Sequence, residues 1–351
     1  MNVRTTTRGM TLVELMVGMA VGLFVVLVAV SIFVSTRMLQ GVGAASTRMS
    51  ENGRLAMDTL QTDLRNASFL GCRPLLNEPP VSLLNAGNGA FLTTAAGLQG
   101  YRGTGGGFSP ALVAPLAALP AASGPLLNSD VLSVRVPFDP DGLGIVAAMA
   151  STLAAPQVAA SSPTNTIAVG DIVLVASCKA AAMFQVTEPN PAATGVLTHG
   201  IGGGFVPGNA TNDLQQRFRT DATVYRMQTR HYYVAPSALH PGTNSLWRLS
   251  VPGAADPEEM ASGVDRLAIT YGIDGGAAAG QQNVDHYAAA DGVTAWDKVV
   301  AVRVQMLIAT AKDGVSQSHQ SVDFAGATIT ADDRRLRSVL SELVTVRNGA
   351  P

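Results

Sequence analysis

Glu14 is the residue best placed to do chemistry. It is the single charged side chain in MTLVELMVGMAVGLFVVLVAVSIFVST, and no Asp, Glu, Lys or Arg occurs from Leu15 to Thr36. That stretch is long enough to cross a bilayer as a helix. A carboxylate at its start costs about 2.5–3.5 kcal/mol on insertion scales, so it implies a job and a partner. Low dielectric strengthens the attraction to any cation and penalises the unpaired charge, which makes ion pairing the expected chemistry.

Other reactive residues are arranged less tellingly. The five His, at 199, 231, 240, 286 and 319, lack metal-ligand spacing, and His231 sits in a strand pattern that reads as structural. Asp274 and Asp285 flank a Gly-rich stretch whose oxygens could hold Ca²⁺, but the spacing is not that of an EF-hand. Gly103–Gly107 and Gly202–Gly204 lack the strand-then-helix context of a phosphate loop and read as surface turns. No G-x-S-x-G and no local nucleophile–base arrangement occurs. The expectation is a protein that is not an enzyme, with no metal and no cofactor. Trp247, Trp296, Tyr232 and Tyr233 lie in strand-like segments and read as core, with a surface-binding patch as the functional alternative.

Net charge is −2 with only 14% charged residues, which gives no support for binding nucleic acid. Arg4 and Arg8 precede the apolar stretch and Arg37 follows it, and the leader has no acidic residue. The orientation this favours is N-terminus in the cytoplasm and the bulk of the chain outside it. In such an oxidising setting Cys72 and Cys178 have one possible intramolecular pairing, a disulfide worth at most ~4–5 kcal/mol by chain-entropy arithmetic.

The elements that must position these residues follow from periodicity. The helix is expected to continue past Arg37, because Leu39, Val42, Met49, Ala56, Leu60, Leu64 and Ala67 recur at helical spacing up to a stop near Gly71. At 1.5 Å per residue it would be ~90 Å long. Its first half, 10–36, would lie in a membrane or filament core, and 37–71 would lay an apolar stripe on a head. Gly41, Gly43 and Gly53 are expected to weaken it. Residues 75–128 are rich in Ala, Gly and Pro and read as long loops with a short element. Strand patterns follow at 130–136, 170–177, 223–234, 245–251, 266–273, 298–310 and 336–348, with 223–234 and 245–251 as a candidate pair. One long helix followed by many strands is an α+β order.

The segment RGMTLVELMV resembles the type IV prepilin signature: basic residues, a Gly, an apolar residue, then Thr-Leu-x-Glu-Leu. Further stretches are similar to the PilW family of minor pilins: GRLAMDTLQTDLRNASFLGC, GDIVLVASCKAAAMFQVT, YRMQTRHYYV with SLWRLS, RLAITYGI with VVAVRVQML, and RRLRSVLSELVTVRN. The resemblance implies a leader at residues 1–9, cut by a prepilin peptidase between Gly9 and Met10. Met10 would become the N-methylated first residue and Glu14 the fifth. It implies that Glu14 pairs with the Met10 amine of a neighbouring subunit and sets axial register. Thr11, Leu12, Gly18 and Gly22 would belong to the packing face, the two glycines in a G-x-x-x-G spacing.

The implied fold is pilin-like, with the helix on a mostly antiparallel sheet head at 72–351. The implied partners are other minor pilins, the major pilin and the inner-membrane assembly machinery. The location would be the inner membrane as a single pass with a periplasmic head, and then the pilus tip. Two alternatives stay open: a minor pseudopilin of type II secretion, with a similar N-terminus, and a tip adhesin.

Overall fold

The structure is a computed structural model that describes residues 10–71, 80–85, 97–202, 204–252, 256–275 and 283–346. The expected leader, its cleavage residue Gly9, and Cys72 lie outside the described residues, as does most of the loop between Asp274 and Asp285.

Helix α1 runs unbroken over Leu12–Asn66, 55 residues and so ~82 Å long. Its two halves live in different surroundings. Every residue from Met10 to Gly41 is exposed. Met49, Gly53, Ala56, Met57, Leu60, Asp63 and Leu64 are buried, spaced three and four apart on one face.

The head contains, in chain order, β1 (Val81–Ser82), β2 (Leu98–Gly103), β3 (Phe108–Ser109), β4 (Val131–Pro137), β5 (Leu143–Ala147), β6 (Gln157–Val158), β7 (Ile172–Ala176) and β8 (Ala181–Gln185). A four-residue helix, α2 (Pro191–Thr194), separates these from β9 (Thr223–Pro236), β10 (Asn244–Val251) and β11 (Glu258–Ser262). The chain ends with β12 (Val264–Ile273), β13 (His286–Ala288), β14 (Val299–Ala309), the hairpin β15 (Ser321–Phe324) and β16 (Ala327–Thr330), and β17 (Arg337–Thr345).

The first eleven strands form one branched sheet around β9, and β13-β12-β14-β17 form a second. All pairings are antiparallel except β1 with β8. The chain is therefore α+β, with a long apolar helix and a mostly antiparallel head. β9 is long enough, at 14 residues, to pair with β7 through 223–227 and with β10 through 229–236 along one side. β4 occupies its other side.

Within 75–128, read from sequence as loops with a short element, β2 is a six-residue strand of the main sheet whose Leu98 and Tyr101 are buried. Gly100 explains why that strand lacks an alternating signature. A Cβ there would lie 2.0 Å from the Tyr271 hydroxyl, so the second sheet approaches the backbone directly. The largest core cluster joins the lower half of α1 (Ala56, Leu60, Leu64) to β4, β9, β12 and β14, so helix and both sheets share one interior.

Candidate functional site: the two halves of the long helix

The start of α1 is built by a reciprocal cap. Thr11 is the N-cap, and its hydroxyl accepts from the Glu14 N–H at 3.3 Å. The Glu14 carboxylate accepts from the Thr11 N–H at 3.0 Å and from its hydroxyl at 3.1 Å. This is the T-x-x-E capping box, and it settles backbone donors that lipid would leave unpaired. Thr11 was expected on the packing face; here its side chain is committed to the cap. The T-x-x-E spacing was the available signal. Glu14 thus has a partner within its own chain, one turn from Met10.

The exposed half is apolar on all sides, from Met10 (70% exposed) to Leu39 (72% exposed). Its serine and threonine hydroxyls beyond Val30 fold back onto the helix backbone. The hydroxyls of Ser31, Ser35 and Thr36 each donate at 2.8 Å to Val28, Ser31 and Ile32 carbonyls. A helix this long and apolar is able to cross a membrane. A Cβ built on Gly18 or Gly22 meets nothing within 4 Å, so both glycines lie on open helix surface.

The other half is locked to the head by packing and one buried ion pair. Gly53, expected to weaken the helix, instead lets it approach the second sheet: a Cβ there would lie 2.6 Å from Leu340 Cδ1 and 2.9 Å from Ile308 Cδ1. Asn52 Nδ2 donates to the Ser262 carbonyl at 3.2 Å and to its hydroxyl at 3.1 Å. Asp63, only 4% exposed, accepts from Arg230 Nη1 at 2.7 Å and from the Tyr232 hydroxyl at 2.5 Å. Burial, and then the Asp63 charge, push the Tyr232 phenol well above the usual tyrosine range. Asp63 was not singled out from sequence. The signal was there, since a carboxylate falls inside the Leu60–Leu64–Ala67 stripe.

Beside this clamp lies a cleft of about 310 Å³ lined by Arg226, Arg230 and Arg248. Each guanidinium already faces a carboxylate: Asp171 at 3.6 Å, Asp63 at 2.7 Å and Glu258 at 2.7 Å. The cleft carries no unspent charge.

The remaining candidates resolve into structural roles. His231 Nδ1 lies 2.6 Å from the Ser133 hydroxyl, across β4 and β9, and both residues are buried. His199 is buried with backbone carbonyls at both ring nitrogens. Burial lowers its pKa. Asp285 accepts the Gly275 N–H at 2.6 Å. Among the described residues no group of three or more His, Cys, Asp or Glu is placed to hold a metal. Gly103 and Gly107 belong to the β2–β3 hairpin, closed by Thr104 N–H to the Gly107 carbonyl at 3.0 Å. Tyr232, Tyr233 and Trp247 are core residues. Cys178 follows β7, and its expected disulfide partner, Cys72, is outside the described residues.

Residues 231–348 match the family model PilW, described as type IV pilus-assembly protein W. The matched region runs from the second half of β9 through β17, and so includes Tyr232 of the clamp and the whole second sheet. No curated protein and no solved structure matches the chain.

Proposed function

We propose that this chain, a PilW-like type IV pilus protein, works as a minor pilin: a low-copy subunit that primes pilus assembly and stays at the tip with other minor pilins. The observation that carries the reading is the division of α1. One half is exposed, apolar and capped, and the other is welded into an antiparallel head. A helix so divided suits two homes. It holds the subunit in the inner membrane with its head in the periplasm, then packs among equivalent helices in a filament, which removes the same apolar surface from lipid or water. A long helix followed by a mostly antiparallel head supports this reading.

In this reading the leader is removed at Gly9–Met10, and Met10 gains a free, methylated amine beside Glu14. The capping box gives Glu14 its place before assembly. The neighbour's amine becomes its second partner in the filament, at a point where a low dielectric rewards the pair. Glu14→Val should leave cleavage intact and abolish or sharply reduce incorporation; normal incorporation of that variant would sink the register role.

The reading as a whole is tested by a clean deletion, scored for surface pili, twitching and type II secretion in parallel. Loss of pili with secretion intact is the expected result. Normal pili with lost secretion would assign the chain to the pseudopilins, and normal pili and secretion with lost attachment to the adhesins.

A further inference from the structure

The edges of the two sheets are unequal. Strands that end or fringe them are short: β1, β3 and β6 have two residues each, β13 three and β11 five. Short edges protect a protein from pairing with other chains. β17 is different. It has nine residues, closes the second sheet on one side and, among the described residues, pairs with β14 alone, while β15 lies near it. It contains no proline, its register with β14 runs without a bulge, and Glu342 is its one exposed charge.

The hydrogen-bond phase identifies which groups face outward. Val346 N–H donates to the Val300 carbonyl, and Thr310 N–H donates to the Leu336 carbonyl, both at 2.9 Å. Even-numbered residues therefore point their backbone at β14, and odd-numbered ones point away. Arg337 obeys this phase: its N–H leaves the sheet and is taken by Gln320 Oε1 at 2.7 Å. Beyond it, Val339, Ser341, Leu343 and Thr345 present N–H and C=O groups that pair with nothing among the described residues. Ser341, Leu343 and Thr345 are exposed.

We propose that the outer edge of β17 is a docking site for an extended segment of a different pilus subunit, added as a further antiparallel strand. Main-chain hydrogen bonds would supply the attraction, and the side chains flanking Leu343 the selectivity. The site lies on the strand that carries α1, because Leu340 of β17 packs at Gly53, about three turns below the fully exposed half that the proposed function assigns to subunit contacts.

A second copy of this chain is the wrong occupant on geometric grounds. Antiparallel pairing of two β17 edges relates the copies by a two-fold axis normal to the sheet. That operation reverses directions lying in the sheet plane. Two helices lying against the sheets would then point in opposite directions, and their apolar halves could not enter one membrane. The inference rests on the minor-pilin reading and adds the mode of contact to it.

The test places a photo-crosslinking amino acid at Leu343 of the full chain in piliated cells, with Leu239, 72% exposed in the β9–β10 turn, as the control position. The crosslinked peptide is then mapped. The expected product joins position 343 to one extended segment of another subunit that carries its own apolar N-terminal helix. Ser341→Pro removes one outward N–H and spares the β14 ladder, so it should lower that product at least tenfold. Ser341→Ala, which keeps the N–H, should leave it unchanged. If Ser341→Pro lowers the unfolding midpoint, Thr345→Pro, at the strand end, replaces it and should still lower the product severalfold. A product with a second copy, a product indifferent to both prolines, or no product at 343 above that at 239 overturns the proposal. Failure of the deletion to affect pili would instead overturn the minor-pilin reading, so the two outcomes are separable.

Discussion

Removal of the Asp63 carboxylate should undock the lower half of α1. Asp63 is 4% exposed and receives two short hydrogen bonds, from Arg230 at 2.7 Å and from Tyr232 at 2.5 Å. Asp63→Ala leaves a buried phenol without an acceptor and a guanidinium without its countercharge. Breaking a buried pair from one side costs about 3–5 kcal/mol. The Arg230 side chain is 19% exposed, so water can reach part of it, and the lower end, ~3 kcal/mol, is the expected loss. Asp63→Asn keeps an acceptor and loses the charge, so about half of that loss is expected.

The assay is denaturant unfolding of the full chain in detergent micelles, followed by the fluorescence of Trp247 and Trp296. Hydrogen exchange over 49–67 would report whether the helix leaves the head before the sheets open. At ~2–4 °C per kcal/mol for a large domain, Asp63→Ala should lower the thermal midpoint by ~6–12 °C. Tyr232→Phe in the same background should add little, because its hydroxyl has already lost its acceptor; the cycle should return ~1–2 kcal/mol of coupling. An Asp63→Ala protein within ~1 kcal/mol of the parent, or additive effects of the two changes, would refute the idea that this pair fixes the helix.

Gly53→Ala should be nearly neutral, because the atoms it meets are ends of Leu340 and Ile308 that can rotate away and Ala gains about 1 kcal/mol of helix propensity; Gly53→Leu should cost ~2–3 kcal/mol in the same unfolding assay. Gly100→Ala should be far worse, ~3 kcal/mol or more, since its Cβ would fall 2.0 Å from the hydroxyl of fully buried Tyr271. Adding Tyr271→Phe should recover part of that loss, and no recovery would show that the clash is not with the hydroxyl. Asp333 is held down to about 2, first by its hydrogen bonds from Arg337. A carboxylate lowered in the folded state stabilises above its ordinary pKa and loses that contribution as pH falls toward the folded value. Thermal midpoints of wild type and Asp333→Asn should therefore differ at neutral pH and converge between pH 4 and 2; a gap that persists at pH 2 would contradict this.

Much of the architecture was written locally. The apolar run after Arg8 and the four-residue recurrence from Ala56 to Ala67 specify one helix with two environments, and the structure keeps it unbroken from Leu12 to Asn66. Strand patterns at 223–234 and 245–251 pair as β9 and β10. The strand pattern at 336–348 is β17, over Arg337–Thr345. These features are legible because a helix face and a strand face each declare themselves within a few residues.

What only the tertiary structure decided concerns contacts between segments far apart in sequence. Gly53 looks like a flaw in a helix until Leu340 and Ile308 arrive above it. Gly100 looks like loop until Tyr271 occupies the space where a Cβ would be. Asp63 acquires a role only when β9 brings Arg230 and Tyr232 across about 170 residues. The open side of β17 is likewise invisible in its own residues. A strand's hydrogen-bonding groups have the same sequence whether or not a neighbour takes them, so its status as an edge is a property of the assembled sheet.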